Sequence, residues 1–175
     1  SLKTLSQQLE EVLPQYKSTQ NYAIFTGASF AREVALQKPL VMNLASKNLG
    51  LLQDVTKMLE STFLQIKHMD EIITPPIGAA VKNVIAIACG VALGFDLGEN
   101  FKASIFQLGL EETMELAIKM GGDSASINSP AIIGDMFLTC SSLTSRNMSF
   151  GYELGKGETI EEIRNNRNTI AEGLY

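Results

Sequence analysis

Hydrophobic residues at Leu2, Leu5, Leu9, Val12 and Leu13 recur every three or four positions and predict an amphipathic helix over 2–13, closed by Pro14. The period then shortens. Tyr22-Ala23-Ile24-Phe25 is an apolar run ending in Thr26-Gly27, the pattern of a buried strand entering a tight turn. A helix from Ser29 to about Leu36, a strand over 39–45, a helix from Asn48 to about Ser61 and a third strand over 63–67 complete an alternating α/β part. Past Asp70 the strand pattern disappears. A long helix is predicted from Pro76 to Phe95, with Pro75-Pro76 at its first turn, where a missing N–H costs nothing. Further helices are predicted over 100–120, 132–139, 146–154 and 159–164; the last opens with Thr159 and Glu162 spaced as a capping box.

The expected fold is therefore mostly α with an α/β N-terminal part, divided into residues 1–69 and 70–175. Strands read as parallel and buried on both faces want neighbours on each edge, so the first part reads as the end of a larger sheet, and the chain as a fragment. With 175 residues there is room for one domain, or one domain and part of another. A hydrophobic share of 45% against 19% charged residues is globular rather than disordered. The net charge of −5, without a Lys/Arg cluster, argues against nucleic acid or an anionic membrane as partner. The apolar run after Asn83 ends at Asp96, short of the roughly 20 residues a membrane span needs. Cys89 and Cys140 lie in apolar surroundings and read as small core residues of a reducing compartment. With a single histidine they show no metal-ligand spacing, so no metal is expected. No apolar signal region follows the first residues, and a soluble cytoplasmic protein is expected. Phe101, Phe106, Met114 and Met120 are expected in the core, and Glu161, Glu162, Arg164 and Arg167 on a solvated face.

The chemistry concentrates in a few places. Gly78-Ala79-Ala80-Val81-Lys82-Asn83, continued by Val84 to Gly90, puts one ammonium into a helix that is otherwise small or apolar. Such a group must reach water, find a counter-charge or do chemistry. Its helical neighbours Gly78, Ala79, Ala86 and Cys89 are small and leave room for a ligand; the alternative is a lysine that snorkels its head to the surface. Ammonium groups in apolar clefts acquire pKa values suited to proton transfer. Asp135, in Ile132-Ile133-Gly134-Asp135-Met136-Phe137-Leu138, needs a partner if it faces inward, and Lys82 is the candidate; otherwise it is solvated. Ser141-Ser142-Leu143-Thr144-Ser145-Arg146-Asn147 is a hydroxyl-rich turn into a helix. It reads either as a phosphate cradle built from amides and Arg146, or as a cap formed by Thr144 or Ser145 with Arg146 exposed. Gly27, in Phe25-Thr26-Gly27-Ala28-Ser29-Phe30-Ala31, would let a ligand approach the backbone.

Taken in order, Gly78 to Asn83, Gly134-Asp135 through Thr139-Cys140, Ser145-Arg146-Asn147, and more weakly Gly27 to Ala31 and Ala171-Glu172-Gly173, resemble the NAD(P)-dependent glycerol-3-phosphate dehydrogenases. The resemblance implies the end of a Rossmann-type nucleotide domain over 1–69. Over 70–175 it implies an all-helical substrate and dimerisation domain of the 6-phosphogluconate dehydrogenase C-terminal type. It implies NAD or NADP as cofactor and interconversion of dihydroxyacetone phosphate and sn-glycerol 3-phosphate, in a cytoplasmic homodimer that feeds lipid synthesis. Lys82 becomes the acid/base and Asp135 its orienting partner. Ser145, Arg146 and Asn147 hold the phosphate or the nicotinamide side, Gly27 and Ser29 line the substrate, and Ala31, Arg146, Ile170 and Glu172 touch the cofactor. The chain departs from the family pattern in lacking the glycine-rich dinucleotide turn and a second substrate lysine. It also carries Ala28 where proline is usual, Pro76 where glutamate is common, and Gln107-Leu108 where many members have an arginine. The chain alone is accordingly expected not to turn over. Two alternatives stand beside this reading: a related dehydrogenase of 3-hydroxy acids or ketopantoate-like substrates, and a non-catalytic helical oligomerisation module.

Overall fold

The structure, a computed structural model, describes residues 3–16 and 21–166. Its elements run α1 (Leu5–Val12), β1 (Ile24–Thr26), α2 (Ala31–Ala35), β2 (Leu40–Ala45), α3 (Leu49–Leu59), β3 (Leu64–Met69), α4 (Thr74–Gly94) and α5 (Gly98–Lys119). A 3₁₀ turn (Ser124–Asn128), a π-helical turn (Pro130–Gly134), α6 (Asp135–Ser141), α7 (Arg146–Gly155) and α8 (Ile160–Asn166) follow. The chain divides into two compact units, one of Ser1–Gly78 with Leu116–Gly134, the other of Ala79–Glu115 with Asp135–Tyr175.

In the first unit the three strands form one sheet in the order β1-β2-β3. β2 and β3 are parallel, with Leu40 opposite Leu64 and Ala45 opposite Met69. β1 corrects the expectation of an all-parallel sheet: it lies antiparallel to β2, with Ile24 opposite Ala45 and Thr26 opposite Asn43. The two connections differ in kind: β2 and β3 are joined through the eleven-residue α3, whereas residues 27–39 between β1 and β2 hold only the five-residue α2. β2 is the buried strand, with Met42, Leu44 and Ala45 in the core together with Leu52 of α3. Its one buried amide, Asn43, is bonded at both ends: Nδ2 donates to the Lys67 carbonyl at 3.3 Å and Oδ1 accepts from the Ala131 N–H at 2.9 Å. The first turn of α4 is held by Glu71, whose carboxylate accepts from the N–H groups of Ile73 and Thr74, and Thr74 Oγ1 accepts from Asp123 N–H at 3.2 Å. Those orphan amides would otherwise be unpaired.

The second unit is helical. Ile85, Ala86 and Cys89 of α4, Met136 and Cys140 of α6 and Met148 of α7 form its core. α4 and α7 cross at glycines on both sides. A Cβ on Gly90 or Gly94 would strike the backbone of Met148–Tyr152 or Gly155, and one on Gly151 would lie 3.0 Å from Ile87 Cα and still closer to its carbonyl. Only hydrogen side chains let these backbones approach so closely. Phe150 and Ile163 form a second cluster that seats α8. The Thr159–Glu162 capping box forms as expected, with reciprocal bonds of 3.3 Å and 2.8 Å.

Three further differences from expectation stand out. Phe101 is not core: it is 49% exposed, because the buried face of α5 in this unit runs through Ile105, Phe106, Gly109 and Thr113. The helix predicted over 132–139 is two pieces, a π turn leading into α6, and the 3₁₀ turn at 124–128 was not anticipated. Finally, α4 as a whole, 21 residues, is long and apolar enough to cross a membrane by length and composition, although close to half of it is buried in the protein. Counting only the residues after Asn83 understated its length.

Candidate active site

α4 carries Lys82 and α6 begins with Asp135, and the two side chains meet. Lys82 Nζ lies 2.5 Å from Asp135 Oδ2, with the lysine side chain 20% and the aspartate side chain 8% exposed. The partner that an ammonium in an apolar helix requires is thus supplied from 53 positions away. Burial pushes the Asp135 carboxyl above the ordinary aspartate range; the hydrogen bond and charge of Lys82 and a hydrogen bond from Thr139 pull it back only in part. Thr139 Oγ1 also donates to the Asp135 carbonyl at 2.7 Å, tying the side chain to the first turn of α6.

The remainder of the site is a polar lattice around that pair. Asn147 is buried, and its Nδ2 donates to Asn83 Oδ1 at 3.0 Å, while Asn83 Nδ2 reaches the Ala79 carbonyl at 3.4 Å. This links α7 to the turn of α4 that bears Lys82. The Cys140 thiol donates to the Lys82 carbonyl at 3.8 Å. Ser145 is buried and serves as N-cap of α7, its Oγ accepting from Met148 N–H at 3.4 Å, with Arg146 exposed beside it. The capping alternative for this turn is therefore realised.

Lys82, Asp135, Ser145, Arg146 and Asn147 all belong to the second unit. Gly27, Ser29 and Ala31 belong to the first. The close approach that Gly27 allows is to β2, since a Cβ there would lie 3.1 Å from Met42 Cα. Ser29 Oγ donates to the Gly27 carbonyl at 3.2 Å, and Ala31 is the exposed first residue of α2. Ile170 and Glu172 lie outside the described residues. Reading the sequence did not pick out Asn83 or Thr139 as members of the site. Adjacency to Lys82 and a four-residue helical spacing from Asp135 were the available signals.

The arrangement can move a proton. One of the three N–H donors of Lys82 is spent on Asp135, and the open fifth of the side chain leaves the others for an incoming oxygen. Asp135, driven toward protonation by burial, is a better proton acceptor than a solvated carboxylate.

Comparison with known proteins identifies the family. The family model described as NAD-dependent glycerol-3-phosphate dehydrogenase C-terminus matches residues 71–175. The glycerol-3-phosphate dehydrogenase [NAD(P)+] of Leptospira biflexa is 38% identical over 175 residues, 99% of this chain and 52% of the relative. That of Francisella philomiragia is 38% identical over 169 residues, 97% of this chain and 50% of the relative. The crystal structure of glycerol-3-phosphate dehydrogenase from Coxiella burnetii superimposes with a TM-score of 0.84 at 35% identity, over 87% of this chain and 47% of that one. The chain thus spans about half the length of the relatives it matches. With residues 71–175, more than half of its length, matching that family model, the chain belongs to the NAD-dependent glycerol-3-phosphate dehydrogenase family.

Proposed function

We propose that the enzyme built on this chain interconverts dihydroxyacetone phosphate and sn-glycerol 3-phosphate, with Lys82 as acid/base. The observation that carries this reading is the ion pair itself: an ammonium fixed by a buried carboxylate yet open on one side. In the reducing direction Lys82 donates a hydrogen bond to the substrate carbonyl oxygen, and its charge stabilises the alkoxide as it develops. The proton then passes from Nζ to that oxygen; in reverse, the amine takes the hydroxyl proton. Asp135 orients the ammonium. NAD or NADP supplies or accepts the hydride when bound. The donor set fits part of that group: the exposed Arg146 guanidinium beside Asn147 suits a phosphate or the amide side of the nicotinamide. The sequence contains no Gly-x-Gly-x-x-Gly turn to cradle a pyrophosphate. Ser145, Gly27, Ser29 and Ala31 keep the substrate and cofactor roles that the family resemblance gives them.

Residues 70–175 are on this reading the substrate and dimerisation domain of a homodimer, which the exposed apolar side chains of Val84, Phe101 and Leu108 support. The two free cysteines support a reducing, cytoplasmic setting, and the product is the backbone from which glycerophospholipids are made. Ligand-observed NMR of the chain with sn-glycerol 3-phosphate, using glycerol as control, tests the assignment. Binding of the phosphorylated compound that is lost in Lys82→Met and weakened in Arg146→Ala is expected. Equal binding by the wild type and Lys82→Met would remove Lys82 from the site.

A further inference from the structure

The helical stretch that carries Asp135 begins before it. Pro130–Gly134 form a π turn that runs without a break into α6. The first N–H groups of a helix have no partner within it. Here Pro130 has no N–H, and the N–H groups of Ile132 and Gly134 reach the Ser129 carbonyl at 3.1 Å and 3.5 Å. Ala131 N–H has neither solution.

Ser129 stands immediately before the turn. A serine there ordinarily caps the helix, its Oγ accepting from the second or third N–H. This one does not: Ser129 Oγ is buried and has no hydrogen-bond partner among the described residues. The Ala131 N–H goes instead to Asn43 Oδ1 at 2.9 Å, from a residue 88 positions away on β2. Asn43 is buried, and its Nδ2 donates to the Lys67 carbonyl of β3 at 3.3 Å, so the sheet fixes the acceptor in place. Asn43, Lys67, Ser129 and the turn all belong to the first unit. The local cap stays idle, its buried hydroxyl unpaired, while a cap from the sheet is used. Leaving a buried hydroxyl unsatisfied is unfavourable, so the Asn43 amide must outcompete it for Ala131.

We propose that Asn43 is a positioning residue for the Lys82–Asp135 pair: by accepting from Ala131 N–H it holds residues 130–134 in the π form, and the π form sets the direction in which Asp135 leaves the chain. A π turn closes over one residue more than an α turn. Without Asn43, the idle Ser129 hydroxyl is the local acceptor open to Ala131 N–H, and the turn is free to tighten to the α form. A one-residue change of register rotates the side chains that follow by about 100° about the helix axis. Asp135 is the next residue, and the 2.5 Å contact of its Oδ2 with Lys82 Nζ does not survive such a rotation. The consequence for catalysis rests on the reading of Lys82 as acid/base, whereas the placement of Asp135 is a matter of geometry alone.

The test follows the Asp135 carboxyl by carbon NMR as a function of pH, with and without Lys82→Met. In the wild-type background Lys82→Met shifts that titration upward. Two variants remove the Asn43 acceptor. Asn43→Leu matches the amide in size, and Asn43→Thr keeps a good strand former whose hydroxyl stops one bond short of the Oδ1 position. In either one the shift produced by Lys82→Met should fall to less than half, and the Ala131 amide should exchange faster. Asn43→Asp keeps the acceptor while giving up the donation to Lys67, and should retain the full shift. Ser129→Ala, which deletes an idle hydroxyl, should retain it too. Four outcomes would each overturn the proposal: the full shift in a folded Asn43→Leu or Asn43→Thr; a loss in Asn43→Asp as large as in Asn43→Leu; a loss in Ser129→Ala alone; or unfolding of both removal variants, which would make Asn43 a support of the sheet. No substrate enters this readout, so a wrong substrate assignment leaves it untouched.

Discussion

Replacing Lys82 by Met keeps most of the apolar stem and removes the ammonium, which leaves Asp135, with 8% of its side chain exposed, without its counter-charge. Breaking a buried pair in this way costs about 3–5 kcal/mol. Because a fifth of the Lys82 side chain is open to water, the lower end applies, about 3 kcal/mol near neutral pH. The pH dependence distinguishes this cause from simple loss of packing. Burial already raises the Asp135 carboxyl, and Lys82 supplies two of the three contributions that lower it, so the variant's carboxyl moves higher still. For a carboxyl raised on folding, stability is fully present below the unfolded value and is lost as pH rises through the folded value. The slope between the two is about 1.4 kcal/mol per pH unit. Urea unfolding followed by circular dichroism, from about pH 4 to about pH 8, reads this directly. The gap between Lys82→Met and wild type should widen as pH rises. In the double variant Lys82→Met/Asp135→Asn, which lacks that carboxyl, the gap should be smaller at high pH and should no longer widen as pH rises. A gap of constant size across the range, or a double variant no better than the single, would refute the account.

Three other perturbations probe the fold. Gly151→Ala places a Cβ 3.0 Å from Ile87 Cα and nearer to its carbonyl, an obstacle made of backbone that cannot rotate away. Overpacking at the top of its usual range of about 1–3 kcal/mol, less about 1 kcal/mol gained in helix propensity, predicts a net loss of about 2 kcal/mol in denaturant unfolding. Gly50→Ala, where the nearest atom is Asn48 Oδ1 at 3.4 Å, should instead gain a few tenths to about 1 kcal/mol. Thr159→Ala should raise amide exchange in α8. It should also return the carboxyl titration of Glu162, now held low by the Thr159 N–H and hydroxyl, toward the ordinary glutamate range in NMR. The contribution of that cap in the wild type is present above the ordinary glutamate value and is lost as pH falls through the lowered one.

Periodicity was sufficient for the elements whose burial follows one period. α3, α4, α5 and α7 carry long apolar stripes, and β2 and β3 are continuous apolar or alternating runs, so these fall within a few residues of where the pattern puts them. Pairing direction is another matter. An apolar run of three residues such as β1 is compatible with either direction of pairing, and only the sheet shows that it lies antiparallel to β2. The π turn before Asp135 was likewise hidden, since Pro130-Ala131-Ile132-Ile133-Gly134 has apolar spacing compatible with an ordinary helix. What shapes it is tertiary, the Asn43 amide of β2 accepting the Ala131 N–H. Phe101 was misplaced because helical spacing gives a stripe but does not say which stripe faces the core.

The site was readable where electrostatics left one resolution and opaque where it left several. A lysine and an aspartate, each alone in an apolar helix, cannot both stay buried without meeting, and they meet at 2.5 Å. Small neighbours were a weaker guide. Of the small side chains read as space for a ligand, Ala86 and Cys89 prove to serve packing and are fully buried in the core; further along α4, Gly90 and Gly94 admit the backbone of α7. A small residue on a helix lowers the distance of closest approach to whatever lies opposite, and sequence does not say whether that is a ligand or another helix. Hydroxyls and amides are ambiguous for a related reason. Ser145 could have faced a phosphate or capped its own helix, and an unpaired amide within one turn made the local bond the nearer option. The residues best identified from sequence are therefore those whose charge cannot be satisfied within their own helix.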